Sequence, residues 1–349
     1  MTYIDKRKTY RILLIASIGV LFVVMVFSST LGVANISFSE AIQIMLSKIP
    51  GIGRLFTPSQ EQTHNVIVLK IRLPRILLAS LIGIGLSVVG SSMQGMFKNP
   101  MADPGILGIS TGAALGATLA IVTGMQKLVW GIGIVTIAAF AGALLTTFLI
   151  YSIARVGNKI PTITLLLSGV AVSFLFSSMI TMLMVFNREQ IENIVLWTMG
   201  SIAAANWRQV WLLAPIVLTG AGIIMTYARD LNLMATGDET AQSLGVEVEK
   251  AKKVLLVVSA VLVGACVSVS GIIGFVGLII PHMVRLLLGS DHRSVLPFSA
   301  VGGALFMVIC DTLARNLVPP AEMPVGAITS LFGAPFFIYL LIKSKKKVI

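Results

Sequence analysis

Charge is scarce in this sequence. Only 11% of its 349 residues are Asp, Glu, Lys or Arg, against about a quarter in an ordinary soluble domain. So little polar surface cannot cover a core in water, which excludes a soluble fold. Cysteine is scarcer still: Cys266 and Cys310 lie in apolar runs, with no second Cys or His at metal-ligand spacing. They read as small core residues, and no disulfide framework or zinc site is indicated. The three histidines, His64, His282 and His292, are too dispersed to nominate a metal site. No G-x-x-x-x-G-K-[ST] pattern occurs, nor any Gly-Lys pair, so the chain has no Walker A loop with which to hold ATP. Neither a G-x-S-x-G elbow nor an H-E-x-x-H helix is present. No catalytic residue, resident cofactor or enzymatic activity is expected.

Hydrophobic residues make up 56% of the chain, gathered into runs separated by short charged knots. A hydrocarbon core about 30 Å thick needs roughly 20 apolar helical residues to cross. Ten segments qualify, at about 12–33, 67–97, 105–124, 128–153, 161–186, 208–227, 251–273, 275–289, 294–314 and 323–343. The chain reads as an all-α integral membrane protein, a ten-helix transmembrane bundle forming one domain over residues 1–349. The second segment is long enough to tilt or project. The eighth is short, entered through Gly271, Gly274 and Gly277 and interrupted by Pro281. A broken helix at membrane depth requires protein or a water-filled cavity beside its free backbone groups. The first run, preceded by Lys6, Arg7, Lys8 and Arg11, resembles a signal sequence but is long enough to be an uncleaved first span.

The net charge of +12 fits a membrane protein whose basic residues sit at the cytoplasmic headgroups. No basic stretch is interleaved with aromatics as a nucleic-acid surface would be. With the N-terminus inside, ten spans return the C-terminus inside. That topology also places most of the 26 Lys and Arg residues on the cytoplasmic side, including the cluster at Lys343, Lys345, Lys346 and Lys347. Outside lie loop 34–66, with a short helix expected after Ser37 or Ser39, and stretch 187–207, with a further short helix and Trp197 and Trp207 at the interface. Inside lies the polar loop 228–250.

Several residues stand out against this background. Gly108, Gly112 and Gly116 recur every fourth residue, a spacing that lets a second helix approach closely. Arg72 and Arg75 flank Pro74 at the outer start of the second span. Composition alone favours their snorkelling to headgroups, with docking of an acidic partner as the alternative. Asp311 is the best candidate for a charge within the spans, and its position suits a partner for Arg315. In the inner loop, Gly237 and Gly245 bracket Asp238, Glu239, Ala241 and Leu244, as expected of a short helix between two turns.

Taken together, Arg72-Leu-Pro-Arg75, Gly90-Ser-Ser-Met-Gln94, Asn99-Pro-Met-Ala-Asp-Pro-Gly-Ile-Leu-Gly108, Gly237 to Val246, Gly274-Phe-Val-Gly-Leu-Ile-Ile-Pro-His-Met-Val-Arg285, Asp311-Thr-Leu-Ala-Arg315 and Pro324-Val-Gly-Ala-Ile-Thr through Gly333-Ala-Pro335 resemble the FecCD-type permeases of iron-chelate and cobalamin ABC importers. The resemblance runs from about residue 67 to the end. It implies the type II importer fold, a second permease subunit (a copy or a relative), two cytoplasmic ATPase subunits, and an extracytoplasmic binding protein that delivers a metal chelate. By the same resemblance, Arg72, Arg75 and Arg315 would meet carboxylates of that binding protein. Gly237, Asp238, Glu239, Ala241, Leu244 and Gly245 would form the coupling loop against the ATPase. Spans five and ten, with the segment after span five, would line the pathway.

The expected function is passage of a ferric siderophore through the cell membrane by alternating access, with cobalamin and haem as alternatives. A secondary transporter driven by an ion gradient would need a buried titratable group. A lipid-modifying enzyme would need a catalytic cluster at the interface.

Overall fold

The computed structural model describes residues 3–32, 34, 36–47, 61–125, 128–129, 132–157 and 159–345. The first helix is α1 (Tyr3–Thr30). It is followed by the short α2 (Phe38–Leu46), whose N-cap Ser37 accepts from Glu40 N at 3.2 Å. A continuous helix then runs from Gln62 to Met96. Its parts are α3 (Gln62–Val66), a π-helical turn (Ile67–Arg72) and α4 (Leu73–Met96). Pro74 sits at the first turn of α4, where its missing N–H costs nothing.

Next come α5 (Ile109–Val122), α6 (Ile134–Ala154) and α7 (Thr162–Phe186). Then follow α8 (Ile191–Thr198), α9 (Trp207–Thr226), α10 (Ala228–Ala235) and α11 (Asp238–Ser243). The last four are α12 (Val248–Ser270), α13 (Val276–Leu288), α14 (His292–Asn316) and α15 (Val325–Lys345).

Among the described residues, seven helices are long and apolar enough to cross a bilayer, and three shorter apolar ones, in α5, α13 and α15, accompany them. Each falls on one of the ten apolar runs. Two differences from the sequence reading have local causes. The run expected from residue 128 begins as a two-stranded antiparallel turn, β1 (Leu128–Val129) with β2 (Ile132–Gly133), and becomes helical only at Ile134. The third run is shortened because Pro104–Leu107 forms a 3-10 turn, ended by Gly108 in the left-handed region at φ 69°. Gly108 therefore precedes α5 rather than sharing a helical face with Gly112 and Gly116.

At 1.5 Å per residue, α5 and α13 are each about 20 Å long, too short to cross alone. Gly271 at φ 70° ends α12, and Phe275 at φ 68° starts α13, so an unwound stretch lies between them. Protein covers it: Ser201 N donates to Ser270 O at 2.7 Å, and a Cβ on Gly271 would strike Trp197 O.

The core is organised around α4, which is nearly all buried. It packs most extensively on α14, and also on α9, α12 and α13. Glycine makes the close crossings possible. A Cβ on Gly83 would overlap the Gly303 carbonyl, and one on Gly90 the Gly277 carbonyl. The α5–α6 pair closes in the same way, with Gly112 against Thr146, Gly116 against the Ala138 carbonyl, and Gly142 against the Gly112 carbonyl. Helices α1 and α7 keep most of their apolar surface uncovered.

Candidate functional site

The two candidate regions lie at opposite ends of the bundle. The first joins the start of α4 to the end of α14. Arg75 Nε donates to Asp311 Oδ1 at 2.9 Å, and Arg75 Nη1 donates to Glu322 Oε2 at 2.8 Å. Arg315, one turn beyond Asp311, brings Nε to 3.4 Å from Asp311 Oδ2 and donates from Nη2 to Ser28 Oγ at 2.9 Å. Arg72 lies beside them, donating to Ser29 O at 2.6 Å and Ala34 O at 3.1 Å.

Side-chain exposure is 7% for Arg75, 10% for Arg315 and 1% for Asp311, but 42% for Glu322. Two guanidinium groups thus face two carboxylates, with Arg72 beside them on backbone carbonyls. The interior carboxylate is committed to holding α4 against α14, whereas Glu322 sits at the water-facing rim. Sequence reasoning paired Asp311 with Arg315 from their spacing and missed its shorter contact to Arg75. It also missed Glu322. The one local signal is an acidic residue two positions before Pro324, in a chain with only 14 acids.

The second region centres on α11. Gly237 enters at φ 136° and Gly245 leaves at φ 87°, backbone states that disfavour any residue with a Cβ. Between them Ala241 is buried, while Glu239 and Leu244 are exposed. Asp238 is the first helical residue rather than a cap. Its Oδ1 lies 2.7 Å from Lys98 Nζ, beyond the end of α4, and its Oδ2 lies 2.6 Å from Lys252 Nζ on α12.

Partial burial opposes ionisation of Asp238, yet the Lys252 and Lys98 ammonium groups hold its carboxyl below the usual carboxylate range. Lys252 also lies 3.6 Å from Glu249, whose Oε2 accepts from Ile160 N at 2.9 Å in the α6–α7 connection. A chain of contacts therefore runs from α11 to α4, α12 and the start of α7. Lys98 carries a left-handed backbone at φ 52°. Its neighbourhood includes Asp103, whose carboxyl burial pushes above its ordinary range despite the Gly105 N–H it accepts.

Among the described residues, no group of three or more His, Cys, Asp or Glu side chains could hold a metal. Nothing in either region resembles a nucleophile with its base. The arrangement anchors helix to helix through buried and half-buried charges.

The profile of the FecCD transport family matches residues 20–343. The chain belongs to the FecCD transport family. It is 48% identical over 280 residues to the cobalamin import system permease protein BtuC of Halobacterium salinarum, covering 80% of this chain and 74% of that one. It is 42% identical to the hemin transport system permease protein HmuU of Yersinia pestis, covering 84% and 88%. It is 36% identical to the iron(3+)-hydroxamate import system permease protein FhuG of Bacillus subtilis, covering 97% and 99%. A solved metal-chelate type ABC transporter in an inward-facing conformation superposes with a TM-score of 0.82 at 31% identity, covering 95% of this chain and 99% of that one. This FecCD member is accordingly a multi-pass permease subunit of an ABC importer, a transport component rather than an enzyme, working with ATPase and binding-protein partners.

Proposed function

We propose that this permease passes a ferric siderophore into the cytoplasm, as half of a permease pair, with both termini inside. The observation that carries the transport reading is the contrast between its two ends. One carries a positive cluster with an exposed carboxylate, and the other a punctuated short helix tied by ion pairs to the end of α4 and to α12. The faces between them are apolar and charge-poor. On α7, Leu167, Phe174 and Phe186 stand exposed, and on α15, Phe332 and Tyr339 do so. A bulky organic chelate passing such walls would be held by shape and weak contact, which favours release. A second cargo, cobalamin, is favoured by the 48% identical relative. The siderophore reading is favoured by the hydroxamate relative, whose match extends over nearly the whole of both chains.

In this reading Arg72, Arg75 and Arg315 form the outer dock for a binding protein's carboxylates. Their burial adds a condition: Glu322 occupies the position a partner carboxylate would take on Arg75, and it swings aside on docking. Charge complementarity there chiefly sets orientation and encounter rate. Inside, residues Gly237, Asp238, Glu239, Ala241, Leu244 and Gly245 meet the ATPase. The Asp238 contacts pass its movement to α4, α12 and α7.

Asp311 is no substitute for the proton site of an ion-coupled carrier, because two guanidinium groups already flank it. The experiment is uptake of labelled ferric siderophore, haem and cobalamin by cells lacking this chain, with and without complementation. Loss and rescue of siderophore uptake alone is expected. Loss of cobalamin or haem uptake instead would overturn the choice of cargo, and no change for any chelate would overturn the importer reading.

A further inference from the structure

Helices α6 and α12 pack together, and the residues they share in lining two cavities set Tyr151 and Arg155 at the end of α6 beside Lys250 and Lys253 at the start of α12. Two cavities lie in this seam. One, about 290 Å³, is walled by Thr147, Phe148, Val257 and Ala260, with Tyr151 and Lys253 at its mouth. The other, about 220 Å³, is lined by the same Tyr151 and Lys253 together with Arg155, Lys250 and Glu249. The two shared residues make them one groove with an apolar limb and a basic head.

The groove opens outward from the bundle. Phe148 and Val257 at its rim are 71% and 53% exposed. The apolar limb extends from Tyr151 to Leu144 on α6 and from Lys253 to Ala260 on α12. Seven residues on each helix give the same depth, about 10 Å. The head has a fixed shape: Arg155 Nε donates to Gly157 O at 2.7 Å, and Glu249 is turned to Ile160 N. Lysine stems lie along apolar walls while their ammonium groups reach water, which suits Lys253 to its place at the junction.

We propose that this groove binds one anionic phospholipid, its phosphate among Arg155, Lys250 and Lys253 and the upper part of one acyl chain against Phe148 and Val257. A soluble phosphate would use the head but leave the apolar limb empty. A zwitterionic lipid would fill the limb but bring its own cation to three basic side chains. Basic pockets between helices at the cytoplasmic surface suit anionic headgroups. The site rests on the proposed topology only in that its basic end is at the cytoplasmic surface. It would fix the seam beside Glu249, one of the residues through which α11 reaches α7.

The test is native mass spectrometry of the full chain released from detergent, titrated with phosphatidylglycerol or phosphatidylcholine. One phosphatidylglycerol is expected to be retained in preference. Replacing Arg155 and Lys253 with Ala should lower that retention about fivefold per basic residue. Lys253→Arg should preserve it, and Ala260→Phe should reduce it by filling the limb with the basic head intact. Thermal melting would show that each variant is folded, and an unfolded variant is replaced by Lys253→Gln, for which the same loss is expected. Equal retention of the two lipids, or full displacement by glycerol phosphate, would overturn the proposal. Because no transport is measured, its failure is separable from failure of the importer reading.

Discussion

Replacing Asp311 with Asn removes one negative charge between Arg75 and Arg315. The shape hardly changes, so the effect isolates charge. Asp311 is 1% exposed, and its two guanidinium partners are 7% and 10% exposed. Breaking a buried pair by removing one partner costs about 3–5 kcal/mol, because a charge is left uncompensated. Glu322 can compensate Arg75 only in part from its exposed position, so the lower half of that range, about 3 kcal/mol, is expected. The assay is thermal unfolding of purified protein in detergent, compared with Arg75→Met plus Asp311→Leu. The double variant removes Arg75 together with Asp311 and keeps that volume apolar but leaves Arg315 without its carboxylate, so it should recover only part of the loss. If Asp311→Asn melts with wild type, within about 0.5 kcal/mol, the buried network does not hold α4 to α14, and the reasoning fails.

Glu322→Gln should strengthen association with the binding protein several-fold at low salt by freeing Arg75, an effect that salt titration of the affinity would diminish; weaker association would contradict the stand-in role. Arg75→Glu is a poorer probe, since it sets two acids against each other beside Asp311 and should reduce the amount of folded protein in the membrane. Asp238→Asn should lower chelate moved per ATP hydrolysed several-fold in the assembled importer while leaving basal hydrolysis present. Because the folded Asp238 carboxyl lies below its usual range, its contribution is complete at neutral pH. That contribution should be lost only as pH falls below about 4, through the depressed value, which a pH series on wild type and Asp238→Asn would show. Gly90→Val should give little folded protein, because its side chain meets the Gly277 carbonyl, with overpacking costing about 1–3 kcal/mol or more; expression-normalised melting checks it.

Much of the fold was legible because a bilayer imposes a length and an apolarity that each span must meet. Among the described residues, seven spanning-length helices and three shorter apolar ones fall on those runs, and the short, glycine-entered eighth run is α13. The punctuation of α11 was legible too, since positive backbone angles call for glycine at Gly237 and Gly245. Partner choice was not. Asp238 meets Lys98 and Lys252 because the end of α4 and the start of α12 lie at the same level, and Arg75 meets Asp311 because α4 crosses α14. Neither pairing has a period or spacing in the chain. Gly108 shows a different limit: its fourfold spacing with Gly112 and Gly116 suggested one helical face, while the preceding Pro104 imposed a turn that needed glycine for its backbone angle. Arg72, Arg75 and Arg315 read as exposed because span ends usually are; the packing of α1 and α14 around them buries them.

In the proposed function an ATPase partner powers movement of a chelate through this subunit. The most direct measurement is accumulation of a labelled ferric siderophore in vesicles containing the chain, its permease partner, its ATPase and its binding protein, with ATP on the ATPase side and ion gradients collapsed. Accumulation that needs ATP and the binding protein, and persists without any gradient, is the expected result. Accumulation driven by an imposed ion gradient in the absence of ATP would contradict the account.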